Sequence, residues 1–150
     1  MKTLWIFFAS LFLCNVVVSQ MNTVNLNSFE LISKGSQSSV DRKSNRIIRT
    51  QQEFNEFKTK NPEIEFNVID FSKDMIITVY KGRCSSGGHA ISIESIEPLE
   101  HKIEINVILE SPGNNCRVTM ALTYPYAIYK VPTTDKEPLF IYKKEIKPCR

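Results

Sequence analysis

The chain has 150 residues, 42% hydrophobic and 23% charged, with 5 Gly and 7 Pro. That composition excludes collagen-like, low-complexity and disordered classes and suits one ordinary globular domain. Its 19 basic and 16 acidic residues leave a net charge of +3 dispersed along the sequence, too weak and too mixed for a nucleic-acid surface.

Residues 1–19 have the layout of a secretory signal peptide: Lys2, an apolar run from Leu4 to Cys14, and Ser19 at the end, with cleavage expected before Gln20. Ser10 and Asn15 interrupt the run, which falls short of the roughly 20 apolar residues of a membrane-spanning helix, so no transmembrane anchor is expected. Lipidation at Cys14 would require a small residue before it, where Leu13 stands. The expected location is secreted or periplasmic. Loss of the leader removes Cys14 and leaves Cys84, Cys116 and Cys149 in an oxidising compartment, an odd number of disulfide-forming residues.

Residues 20–27 read as a flexible arm and residues 28–150 as a single domain. A first strand is expected over 28–34, followed by a polar turn region and a short strand over 46–49. The one helix starts at Thr50, whose hydroxyl and the Glu53 carboxylate make a capping box. Phe54 and Phe57 share a face and dock it on a sheet, and Asn61-Pro62 ends it.

Beyond Pro62 the period becomes 2. Residues 75–81 (MIITVYK) are apolar on both parities, as in a central strand covered on both faces. Residues 90–97 start as a strand but Ile96 falls out of phase with Ile91 and Ile93, which calls for a bulge near Ser95. In 102–110, Ile103, Ile105, Val107 and Leu109 form one buried face. In 117–124 the same alternation sets Val118, Met120, Leu122 and Tyr124 inward. Strands over 126–131 and 139–142 complete the set, with Pro125, Pro132 and Pro138 at their ends.

The fold class is α+β, mostly antiparallel β: a meander or sandwich-like sheet with one short helix packed on it, because short polar connections favour antiparallel neighbours. In a meander, loops 82–89 and 111–116 lie at the same end of the sheet and Cys149 at the other. Cys84 is therefore expected to pair with Cys116, leaving Cys149 over.

Signs of chemistry are few. The string SSGGH (Ser85, Ser86, Gly87, Gly88, His89) puts hydroxyls beside an imidazole, but no nucleophile-elbow pattern surrounds either serine. Cys84, His89, Cys116 and Cys149 lack the paired spacing of a zinc site, and Gly87-Gly88 precedes a strand, whereas phosphate-binding glycine loops open a helix. Lys143, Lys144, Lys147 and Arg150 form a basic tail that reads as a solubilising terminus. No catalytic role, cofactor or metal is expected.

Several segments are familiar together: GSQSS at 35–39, RIIRTQQEFNEF at 46–57, the stretch 69–96 around CSSGGH, and LESPGNNCRVTMALTYPYAIYKVPTTD at 109–135. In order and spacing they resemble the PrcB C-terminal-domain family of bacterial envelope proteins. Where that family usually reads TGGY, this chain has Ser86-Gly87-Gly88-His89, a titratable ring for an aromatic one. The resemblance implies a non-catalytic secreted or envelope interaction domain that supports assembly or stability of an extracytoplasmic protease complex, with a protein partner such as a secreted protease. Ser85, Ser86, Gly87, Gly88, His89, Pro112 and Gly113 are the partner-binding candidates, since glycines let backbone approach closely. The alternative is a secreted protease inhibitor acting through the same loops.

Overall fold

The computed structural model describes Leu26 and residues 28–62 and 64–149. The expected signal peptide lies outside the described residues. Of the expected arm only Leu26 is described; it is 2% exposed and packs into the main core, so the core recruits at least one residue of that segment.

Seven strands and one helix follow in chain order: β1 (Glu30–Gly35), β2 (Ser44–Ile48), α1 (Gln51–Lys60), β3 (Asp74–Tyr80), β4 (Ala90–Pro98), β5 (Lys102–Pro112), β6 (Tyr126–Pro132) and β7 (Glu137–Lys147). They form a four-stranded sheet of order β1-β6-β3-β2 and a three-stranded sheet of order β4-β5-β7. The α+β reading holds, with one short helix on mostly antiparallel β structure. The meander does not. The chain leaves β5 for the other sheet, where β6 pairs between β1 and β3, and returns as β7 to lie parallel to β5.

The helix begins where the sequence places it. The Glu53 amide donates to Thr50 Oγ1 at 3.2 Å, while the Glu53 carboxylate accepts from the Arg49 and Thr50 amides at 2.9 and 3.3 Å. The Arg49 amide above all holds the Glu53 carboxyl below its ordinary pKa. Phe54 and Phe57 are buried, and Phe66 packs edge-on against both at centroid distances of 5.1 and 5.9 Å.

β3 is the structural centre. Its odd positions, Met75, Ile77 and Val79, join Ala127, Tyr129 and Val131 of β6 in facing Ile91, Ile93, Ile96, Ile103, Ile105 and Val107 of the smaller sheet. Its even-numbered Ile76 joins Ile48 and Ile128 under the helix, with Ile64 and Ile69. A strand buried on both faces must be apolar on both parities, which is why MIITVYK shows no alternation. The layers are helix, four-stranded sheet and three-stranded sheet.

The expected bulge in β4 is present, as the register against β5 shifts between Ile93 and Ser95. Beside it the Ile93 amide donates across the core to the Tyr129 hydroxyl at 3.2 Å, so that amide keeps a partner at the break in the ladder.

Residues 117–124 do not form a strand. Only the isolated bridge between Cys84 and Thr123 belongs to a ladder, and Met120 and Leu122 are 91% and 53% exposed where the alternation placed them inward. Period-2 patterning states what a strand would bury but not whether a partner strand is there to bury it. Among the described residues no helix is long and apolar enough to cross a membrane.

Candidate functional site

Four segments converge at one end of the molecule: the loop leaving β3, the turn after β5, the irregular stretch 116–124, and the end of β7. Gly82 takes φ +85°, and a Cβ there would come within 2.8 Å of the Arg42 and Lys43 backbone, so the chain can turn at that point only with glycine. The Arg83 amide then donates to the Asp41 carbonyl at 2.9 Å. Cys84 and Thr123 exchange amide-to-carbonyl bonds at 2.8 and 3.0 Å, the Thr123 hydroxyl donates to the Ser86 carbonyl at 2.7 Å, and the Gly87 amide donates to the Thr119 carbonyl at 2.9 Å. These bonds lay residues 117–123 along the glycine loop.

Gly88, at φ +80°, sits against Pro112 and Val118; a Cβ there would lie 3.1–3.3 Å from their carbons. The Gly113 amide donates to the Lys147 carbonyl at 3.1 Å, and the Cys116 amide donates back to Gly113 at 3.0 Å. Cys116 is disulfide-bonded to Cys149, with the Cα atoms 5.0 Å apart. The expected Cys84–Cys116 bridge is therefore wrong: Cys84 is a free, buried thiol, and Cys149 supplies the partner. The physical reason is the topology. Because β7 runs parallel to β5, the residues following each strand emerge at the same end, whereas a meander would have sent Cys149 to the other.

The sequence-predicted residues do assemble. Gly88 and Pro112, with Cys116, Val118, Lys147 and Pro148, line a cleft of about 570 Å³. Ser85 is exposed on its loop, Ser86, His89 and Gly113 are half-buried, and Gly87 is buried beneath Thr119. Met120 and Leu122 are exposed on the stretch that lines the loop, and Ile146, 73% exposed, ends β7 nearby. A second cleft of about 620 Å³ lies on the helix side between β1 and the segment 64–69, where Lys130 and Glu30 pair at 2.6 Å. None of the predicted residues lines it.

Sequence reasoning missed Lys81. Its Nζ donates to the carbonyl of Glu110, to Ser111 Oγ at 3.0 Å and to His89 Nδ1 at 3.0 Å, pinning the glycine loop to the end of β5. Burial lowers the Lys81 pKa, an effect opposed by Cys84 and Glu110. Burial, and after it the Lys81 charge, lowers that of His89. Burial raises that of Cys84 against the pull of Lys81. Only the position of Lys81, immediately after a doubly buried strand, hinted that its ammonium would have to reach back to backbone acceptors. His89 Nε2 lies 3.4 Å from Ser86 Oγ. Among the described residues no group of three or more His, Cys, Asp or Glu side chains could hold a metal ion.

Residues 75–132 match the family model described as PrcB C-terminal. No curated protein and no solved structure matches the chain. The matched span runs from β3 to the end of β6 and contains the glycine loop, the turn after β5 and the irregular stretch that follows it; over these residues the chain is similar to the PrcB C-terminal family, which supports the resemblance read from the sequence.

Proposed function

We propose that this chain is a non-catalytic interaction domain that acts outside the cytoplasm and binds a partner protein, in the setting of a protease complex, through the stapled end of its sandwich. The observation that carries the reading is the convergence just described: glycine loop, post-β5 turn, apolar stretch and chain end are tied into one surface by backbone hydrogen bonds, close glycine packing and the Cys116–Cys149 disulfide. A surface fixed before contact loses little conformational entropy on binding. The disulfide itself suits an oxidising compartment.

Hydrogen-bond direction supports the non-catalytic part. A charged Lys81 ammonium can only donate, so His89 Nδ1 accepts, and the ring proton sits on Nε2 facing Ser86. A histidine in that tautomer donates to the serine hydroxyl and cannot take its proton, the reverse of what a nucleophilic serine needs.

The test is photo-crosslinking in the native extracytoplasmic fraction, with a photoreactive side chain placed at Met120 or, as control, at the fully exposed Val68. Adducts with one discrete protein from Met120 and none from Val68 are expected. Adducts from Val68 alone would move the interface elsewhere. A panel of proteases assayed with the purified domain separates support of a protease from inhibition of one.

A further inference from the structure

The three-stranded sheet ends on β7, whose second edge no described strand pairs, and the four edge strands differ in how well they are protected. β2 has 5 residues. β1 has 6 and carries a register shift between Leu31 and Ser33. β4 is broken by its bulge and carries Glu94 and Glu97. β7 alone is long and regular: 11 residues in unbroken parallel register with β5. An open edge of that length offers a row of unpaired amides and carbonyls, which is the template for strand addition.

Side chains say what would fit beside it. Leu139 and Ile141, 38% and 40% exposed, flank the outer face next to Glu104 and Asn106 of β5. Next along the strand come Lys143 and Lys144, both exposed and neither in an ion pair among the described residues, whereas Lys147 is shared by Glu110 and Glu145 at 3.6 Å each. The two adjacent lysines act against self-association. Antiparallel pairing of two β7 strands about Tyr142 would bring the Lys143 side chains of both copies into diagonal contact, and like charges so placed repel. The same two charges attract a strand carrying carboxylates.

We propose that the β7 edge is a strand-addition site for an extended segment of a partner protein, with apolar residues opposite Leu139 and Ile141 and acidic residues opposite Lys143 and Lys144. It runs toward the stapled cleft, since the Lys147 carbonyl already accepts from Gly113. The inference takes from the proposed function only that the occupant is protein, and it needs no contact at the loops.

The test uses synthetic peptides of alternating valine and threonine bearing near one end two adjacent glutamates, two lysines or two glutamines. Hydrogen exchange followed by NMR should show alternate β7 amides slowing with the glutamate peptide, with affinity about tenfold above that of the lysine peptide. Lys143→Glu/Lys144→Glu should reverse that preference, and Lys143→Arg/Lys144→Arg should keep it. Three outcomes overturn the proposal: no slowing of β7 amides with any peptide, equal affinity for acidic and basic peptides, or a free protein already dimeric with β7 protected. A glutamate peptide that protects β7 while no adduct forms from Met120 retains this edge and discards the loop reading.

Discussion

Removing the Cys116–Cys149 disulfide should cost the domain much of its stability. The bridge spans 33 residues, and in the chain-entropy model a closed loop of that length restricts the unfolded chain by about 3.7 kcal/mol at 25 °C. The loop encloses β6 and β7, so the released chain gains freedom over a long segment whose contacts in the folded state hardly change. Cys116→Ala/Cys149→Ala should therefore unfold about 10–15 °C below the parent protein in scanning calorimetry, taking a few degrees per kcal/mol for a domain of this size. The parent in reductant should fall to the same temperature. Cys84→Ala is the control: the thiol is buried but unbridged, and its loss removes only a small apolar group, about 1 kcal/mol. The reasoning fails if Cys84→Ala costs as much as the double variant, if reductant leaves the parent unchanged, or if peptide mapping places Cys84 in a bridge.

Three further outcomes follow from the geometry. Gly88→Ala forces an L side chain to φ +80° and into the carbons of Pro112 and Val118, and should cost about 2 kcal/mol in urea unfolding; a neutral result would mean the loop does not pack there. Thr50→Ala removes the acceptor for the Glu53 amide and should cost about 1 kcal/mol, with the helix amides fraying first in hydrogen exchange. His89 titrates below its ordinary value, chiefly through burial and then through Lys81. The unfolded chain thus binds a proton that the folded chain refuses: His89 takes nothing from stability above about pH 6.5, and its penalty grows as pH falls through that value toward the folded pKa. Lys81→Met should raise the His89 pKa in an NMR titration and shrink that acid-side loss, and an unmoved titration would refute the coupling.

What could be read from the sequence was whatever depends on one segment at a time. The Thr50 capping box, the two-faced β3, the slip at Ser95 and the alternation of β5 are local patterns with local causes, and each appears in the structure. Pairing between distant segments was not legible. The stretch 117–124 alternates as β5 does, yet its amides and carbonyls meet the glycine loop and leave Met120 in solvent. The parallel β5–β7 pair defeated the rule that short connections make antiparallel neighbours, because β6 intervenes in the other sheet. One wrong topology then produced a wrong disulfide. Gly88 and Pro112 still lie together because they meet through the β4–β5 hairpin, which is antiparallel in both the expected and the observed arrangement. Lys81 stayed hidden because its partners, the Glu110 carbonyl and Ser111, come from the far end of that same hairpin.

The family match divides the molecule in a way that bears on function. Residues 75–132 supply β3 through β6, the inner strands of both sheets together with the edge strand β4, but they cannot close the structure alone. Within that span Ile76 and Ile128 would stand uncovered, since the helix and the segment 64–69 that bury them precede it, and β5 would lose its neighbour β7. The flanks therefore complete the core and also set what the domain presents. The loop end comes with the family segment; the lysine-bearing β7 edge and Cys149 come from the residues after it. Because Cys116 lies inside the matched span and Cys149 outside it, the disulfide ties the flank covalently to the matched segment, beside the backbone bond from Gly113 to the Lys147 carbonyl.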